Sequence, residues 1–366
     1  MTACALVWFV DWQQSDQERG LNVIEMFVKN SRGIEVFIKS WVPIEGTRQL
    51  LGLVFLCPGY GDSITFYFEA LARTFALAGY GVHGMDYPGF GMSEGLHGYI
   101  PNFNDLVDDV AYQYRKIIDS PPSYFRKLLI TKSLADRAEF RSLPRFLFGE
   151  SMGGAVALLA HLKDPTVWDG AVLVAPMCKI HAKMYPPWII VQLLTALAKI
   201  IPKGKLVNTH DVTAIGFRDP CKRKLAYLQP LAYTENPRLG TALQLLRASD
   251  LIESKMPEVS WPMMIMQGGR DCVNDPSSSI LLHERAKSTD KTLRIYEDSW
   301  HCILQGEPDD RVHSAMRDII LWLDARAASK AGFHLSSDSG EFEARVAGAV
   351  PSLIKFGKFS APSHAS

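Results

Sequence analysis

What this sequence lacks is an excess of charge: 39 Lys and Arg stand against 39 Asp and Glu. Without a basic surplus there is no electrostatic footprint for a phosphate backbone, so nucleic acid is not an expected partner. Cysteine is sparse. Cys4, Cys57, Cys178, Cys221, Cys272 and Cys302 show neither C-x-x-C spacing nor the density of a disulfide-stapled secreted scaffold, which favours reduced thiols. No run reaches the roughly 18 to 20 apolar residues of a membrane-spanning helix. The apolar start Ala3 to Val10 is short, has no basic flank and is followed by Asp11, so it reads as an N-terminal extension rather than a signal peptide. A soluble or peripheral protein is expected, in the cytoplasm by the absence of targeting signals, with loose attachment to endoplasmic reticulum or lipid-droplet membranes left open.

Against these absences, 366 residues of which 47% are apolar can bury a large core. Val23 to Val28 and Ile34 to Trp41 alternate apolar and polar residues around Asn30-Ser31-Arg32-Gly33, the pattern of a hairpin. Short apolar runs, each followed by Gly, Pro or Asp, then recur at Leu53 to Cys57, Gly81 to Asp86, Arg145 to Phe148, Ala171 to Ala175, Met263 to Gln267 and Thr292 to Tyr296. Helix-like segments separate them. That alternation predicts an α/β fold with a mainly parallel central sheet and helices on both faces. The rhythm breaks between Pro176 and Trp261, where prolines and amphipathic stretches predict an inserted helical cap. The expected organisation is therefore an extension over 1–21, a core over 22–176, a cap over 177–260, the rest of the core over 261–326, and a mobile tail over 327–366 rich in Ser, Ala, Gly and Lys.

Gly149-Glu150-Ser151-Met152-Gly153 lies where the apolar run Phe146-Leu147-Phe148 meets the small-residue stretch Gly153-Gly154-Ala155. A serine at such a strand-to-helix junction can be forced into a sharp turn that presents its hydroxyl, with glycines allowing close approach on both sides. A nucleophilic serine needs a base, and the base needs an orienting acid. His301 follows one predicted strand and precedes the last predicted helix. Asp271 follows another, and Asp275 and Asp298 compete with it. Strand ends would gather Ser151, Asp271 and His301 at one edge of the sheet. An ester carbonyl under attack develops negative charge that two backbone N–H groups can hold. Met152 and, from the glycine-rich Pro58-Gly59-Tyr60-Gly61-Asp62 loop, Tyr60 are the candidates. This chemistry requires no metal or cofactor.

From about residue 22 to residue 326 the chain resembles the monoglyceride-lipase-like branch of the α/β-hydrolases, particularly its plant members, which include monoacylglycerol lipases and caffeoylshikimate esterases. The resemblance rests on Gly59-Tyr60-Gly61-Asp62, Asp86-Tyr87-Pro88-Gly89-Phe90-Gly91-Met92-Ser93, Phe148 to Gly154, Arg270-Asp271 with Asp275-Pro276, and Trp300-His301 with Gln305-Gly306-Glu307-Pro308-Asp309. It implies a serine hydrolase with an inserted lid, Ser151 as nucleophile, Asp271 as acid, His301 as base, and an oxyanion hole made by the amides of Tyr60 and Met152. The chain departs from the family by having Pro58-Gly59 and Gln267-Gly268 where His-Gly is usual. Neither position transfers a proton in this scheme, so altered loop geometry or rate is expected and the reaction class is kept. Pro58 matters more, since proline fixes the backbone and removes a donor.

Substrate choice falls to the cap. Trp188 to Ile201 is apolar almost throughout and too short to span a bilayer. It reads either as a helix buried between cap and core or as a lid helix that rests on a lipid surface and lines an acyl tunnel. An apolar cap favours monoacylglycerol, a small lipid ester, over a phenolic ester. The rival expectations are a caffeoylshikimate or other phenylpropanoid esterase, a lysophospholipase or acyltransferase, and a receptor with this fold that binds without turnover. Cys272 and Cys302 each adjoin a proposed triad member. They read as small buried filler, or as thiols whose alkylation would obstruct the triad.

Overall fold

Partial burial along Leu21–Lys29 (β1), where Leu21 and Ile24 are buried, contrasts with near-complete burial along Glu35–Pro43 (β2), and the two pair antiparallel through Gly33, whose φ of +80° suits the turn. A computed structural model describes residues 16–119, 142–181, 187–206 and 211–331. After the hairpin come Gly52–Cys57 (β3), Tyr80–Met85 (β4), Arg145–Glu150 (β5), Gly170–Val174 (β6), Met263–Gly268 (β7) and Lys291–Tyr296 (β8). They form one eight-stranded sheet in the order β1-β2-β4-β3-β5-β6-β7-β8. From β4 through β8 every neighbouring pair is parallel, while β2 runs against both of its neighbours.

The inner strands are buried on both faces, as parallel strands between helix layers must be. The pleat sorts their side chains. Leu53, Phe55 and Leu147 join the core built with Phe103–Asp119 and Met152–Lys163, whereas Val54, Leu56, Phe146 and Phe148 join the core built with Tyr67–Leu77 and Asp309–Ala331. In chain order the helices are Tyr67–Leu77 (α1), Phe103–Asp119 (α2), Met152–Lys163 (α3), Trp188–Ala198 (α4), Val212–Gly216 (α5), Pro220–Tyr227 (α6), Leu239–Lys255 (α7), Pro276–Arg285 (α8) and Asp309–Ala331 (α9). Helices α4 to α7 are inserted between β6 and β7. In α4 only Ala198 is buried, against Leu239 of α7. Trp188, Ile189, Leu193 and Ile200 are 72%, 69%, 63% and 78% exposed, which removes the reading of this segment as a helix buried between cap and core.

Two expected boundaries shift. Asp16 is already part of the packed structure, buried and bonded through both carboxylate oxygens to Arg73 at 2.6 and 2.7 Å. At the other end α9 continues past 326 to Ala331: Ala327 is buried and the Arg326 guanidinium lies 4.0 Å from the Trp322 ring centroid. The remainder of the expected tail, 332–366, falls outside the described residues, as do the first fifteen residues of the expected extension.

Candidate active site

Ser151 sits between the last residue of β5 and the first of α3 with φ +54° and ψ −117°, a backbone region costly for a residue with a Cβ. The surrounding packing enforces it. Its N–H donates to Val174 O at 2.9 Å, and its carbonyl accepts from Met177 N at 2.9 Å and from Gly154 N at 3.0 Å. A Cβ added to Gly153 would lie 1.8 Å from the Cys57 carbonyl oxygen, so only glycine lets α3 start this close to β3.

His301 reaches Ser151 from the loop after β8. Its Nε2 lies 2.9 Å from Ser151 Oγ, and its Nδ1 lies 2.7 Å from Asp271 Oδ2. Asp271 is fully held: Oδ1 accepts the N–H groups of Val273 and Asn274 at 2.8 and 3.0 Å, and Oδ2 also accepts the Gln267 amide at 2.9 Å. The competing acids are placed elsewhere. Asp275 caps α8 by accepting Ser277 N at 2.9 Å, and Asp298 is at the surface, 2.8 Å from Arg270. The Pro58–Asp62 loop lies alongside the serine, since a Cβ on Gly59 would come within 3.6 Å of Ser151 Cβ. Met152 opens α3, where the first N–H groups have no partner inside the helix.

Several further groups surround this trio. Gln267, one of the two departures noted above, supplies a hydrogen bond to Asp271 and has its own carbonyl held by the Ser279 hydroxyl at 2.7 Å. Glu307 is buried and accepts Trp300 N at 2.7 Å, which fixes the turn carrying His301. Glu150, buried beside the serine, accepts the Gln305 amide at 2.9 Å. Burial pushes its carboxyl up to about 8, with Asp62 adding to the rise and Gln305 and His301 opposing it. Asp62 is itself pushed up to about 6 by burial, against the pull of His301 and Gly59. Burial by itself would lower the His301 pKa, but the Asp271 carboxylate and its hydrogen bond, helped by Glu150 and Asp62, hold it above the ordinary value. The sequence signal for Gln305 and Glu307 was the Gln305-Gly306-Glu307-Pro308-Asp309 run. Glu150 stood inside the elbow, with nothing local to say where its side chain would point.

A mostly parallel sheet with a serine on the turn into a helix, and a histidine and an aspartate at the ends of later strands, is the α/β-hydrolase architecture. The profile of the family described as Serine aminopeptidase, S33 (Hydrolase_4) matches residues 48–309, and the chain belongs to that family. It is 31% identical over 302 residues to caffeoylshikimate esterase from Arabidopsis thaliana, covering 80% of this chain and 82% of that protein. It is 28% identical to monoglyceride lipase from Homo sapiens, covering 82% of this chain and 90% of that one. Among solved structures it is similar to a soluble variant of monoglyceride lipase from Saccharomyces cerevisiae in complex with a substrate analogue, with a TM-score of 0.67 at 20% identity over 82% of this chain and 94% of that chain. These relatives support a serine esterase or lipase within a monoglyceride-lipase-like group of α/β-hydrolases.

Proposed function

We propose that the protein hydrolyses the ester bond of monoacylglycerols, releasing fatty acid and glycerol through an acyl-enzyme on Ser151. The observation that carries the acyl-transfer part is the unbroken hydrogen-bonded line Ser151 Oγ, His301, Asp271 behind a serine in a forced turn. In this reading His301 Nε2 takes the serine proton as Oγ attacks the carbonyl carbon. The oxyanion so formed is held by the amides of Tyr60 and Met152. The imidazolium, stabilised by Asp271, gives its proton to the departing glycerol oxygen. A water molecule, deprotonated by the same His301, then attacks the acyl-enzyme, and Ser151 leaves with the proton returned.

The lipid part of the reading is supported by the uncovered apolar face of α4, which suits a surface resting on a membrane or lipid droplet with the acyl chain drawn from it. In this reading the protein works in the cytoplasm, loosely attached at such surfaces. A second reading, a phenylpropanoid ester such as caffeoylshikimate, is favoured by the 31% identity to the Arabidopsis esterase.

The test is glycerol release from monooleoylglycerol by the purified protein and by Ser151→Ala, with caffeoylshikimate run under the same conditions. Turnover of the monoacylglycerol that vanishes in the variant is expected. Cleavage of caffeoylshikimate alone would replace the lipid reading with the phenolic one, and cleavage of neither substrate would refute both.

A further inference from the structure

The loop that carries the Tyr60 amide leaves the sheet at Cys57 and meets the cap at two places. The backbone N–H of Tyr233, in the segment between α6 and α7, donates to the Gly61 carbonyl at 2.8 Å. Gly61 has a φ of +88°, and a Cβ there would come within 2.5 Å of the Tyr233 carbonyl oxygen. The second meeting is between side chains. The Tyr60 ring packs edge-on against Tyr233 with centroids 5.9 Å apart, and against Phe90 at 5.5 Å. Its hydroxyl donates to Gly98 O at 3.2 Å, and the same carbonyl accepts the Thr241 hydroxyl of α7 at 3.0 Å. Tyr233 is boxed in: its ring fills the space that a Cβ on Gly98 would need, and its hydroxyl donates to Asn236 O at 2.8 Å. His97 lies edge-on at 5.1 Å, and Arg238 donates to the carbonyls of His97 at 3.0 Å and Lys203 at 2.7 Å.

A stretch with glycine on both sides of Tyr60 is soft unless something outside it holds it. Pro58 restricts only the entering end. An oxyanion donor, in turn, is effective only when aimed before the charge develops. We propose that Tyr233 of the cap is a positioning residue for the oxyanion pocket, holding the Tyr60 amide toward Ser151 through its N–H to Gly61 and its ring against Tyr60. This rests on the acyl-transfer reading above. It makes the cap part of the catalytic apparatus: when the cap shifts at Tyr233, the Tyr60 amide loses its aim, whatever the acyl group.

The test uses the full chain and p-nitrophenyl butyrate, a soluble ester small enough to be insensitive to the acyl tunnel. Tyr233→Ala is expected to lower kcat about 10- to 100-fold with KM within about threefold, since losing an oxyanion donor outright costs on the order of 10²–10³. Tyr233→Phe, which keeps ring and backbone, is expected to stay near the parent. Binding of an alkyl trifluoromethyl ketone, whose hemiketal oxyanion occupies the same pocket, should weaken in Tyr233→Ala by the same factor as kcat/KM. If Tyr233→Ala does not fold, Tyr60→Phe and Thr241→Val, each losing one hydroxyl at Gly98 O, replace it, with a kcat loss of at least about threefold expected. A variant that raises KM or lowers thermal stability while leaving kcat and ketone affinity within twofold would overturn the proposal. A parent that neither turns over the ester nor is labelled at Ser151 by a fluorophosphonate would instead remove the acyl-transfer reading beneath it.

Discussion

Replacing Asp271 by asparagine probes the site sharply, because the two carboxylate oxygens are not equivalent. Oδ1 accepts the N–H groups of Val273 and Asn274, so an asparagine must place its carbonyl oxygen there and its NH2 where Oδ2 was. That NH2 then faces two groups that donate to Oδ2 in the parent, the Gln267 amide and His301 Nδ1. Gln267 is not free to turn, since its carbonyl accepts the Ser279 hydroxyl. His301 therefore carries its proton on Nε2, aimed at Ser151, and cannot take the serine's proton. The expected fall in kcat is on the order of 10⁴-fold, or about 5.5 kcal/mol. Electrostatics gives a similar figure. An imidazolium and a carboxylate at the 2.7 Å contact attract by about 6 kcal/mol at an effective dielectric constant near 20. Stability should fall by about 1–3 kcal/mol because a buried donor is left facing a donor. The assay is kcat and KM on p-nitrophenyl butyrate, with the His301 Nδ1 proton followed by NMR in both proteins. Activity within tenfold of the parent, or an Nδ1 proton that persists in Asp271→Asn, would refute the orientation argument.

Activity needs neutral His301, and the surrounding carboxyl groups favour its protonated form, so the acidic limb of kcat/KM should lie above the ordinary histidine value of about 6.5; a limb at or below that value contradicts the geometry. Glu150 runs on stability. With its folded pKa raised to about 8 from 4.5, its contribution is fully present below pH 4.5 and is lost as pH rises through 8. Glu150→Gln keeps an acceptor for Gln305, so denaturant unfolding should show the parent losing stability relative to the variant as pH rises from 4.5 to about 8, whereas parallel curves would exclude this role. On the cap, Trp188→Ser combined with Leu193→Ser should weaken binding to phosphatidylcholine vesicles at least about tenfold, each exposed apolar side chain being worth about 1.5–3 kcal/mol on burial, with turnover of soluble ester unchanged. Unaltered vesicle binding would mean that α4 is not the contact. For thiols, Cys302 is buried and its pKa is driven well up by burial, while Cys272 is half-buried and only weakly bonded to Arg270 O at 3.6 Å. Maleimide inhibition should therefore be abolished by Cys272→Ala and kept by Cys302→Ala, and the reverse pattern would show that the loop around residue 302 opens.

The order of strands along the chain, the hairpin, the serine elbow and the order Ser151, Asp271, His301 are all legible in short stretches of sequence. The reason is local. Apolar alternation, Asn30 to Gly33, and glycines flanking Ser151 act through the conformational limits of a few consecutive residues. Asp271 is the acid the sequence favours, with Asp275 and Asp298 nearby as competitors that no local pattern excludes. Tertiary structure separates them by what each oxygen meets: Asp271 meets backbone amides and His301, Asp275 the start of α8, Asp298 a surface arginine. Trp188 to Ile201 is apolar on every side, so it has no periodicity to say which face is covered. Among the described residues, packing against α7 leaves most of it in water. Gln305 against Glu150 and Tyr233 against Gly61 join residues more than 150 positions apart, and no local pattern encodes such pairs. The sequence by itself determined which chemistry could be assembled here. Only the folded chain decided which groups surround it and which surface the cap leaves open, because burial and hydrogen bonding across the sheet depend on segments that meet only after folding.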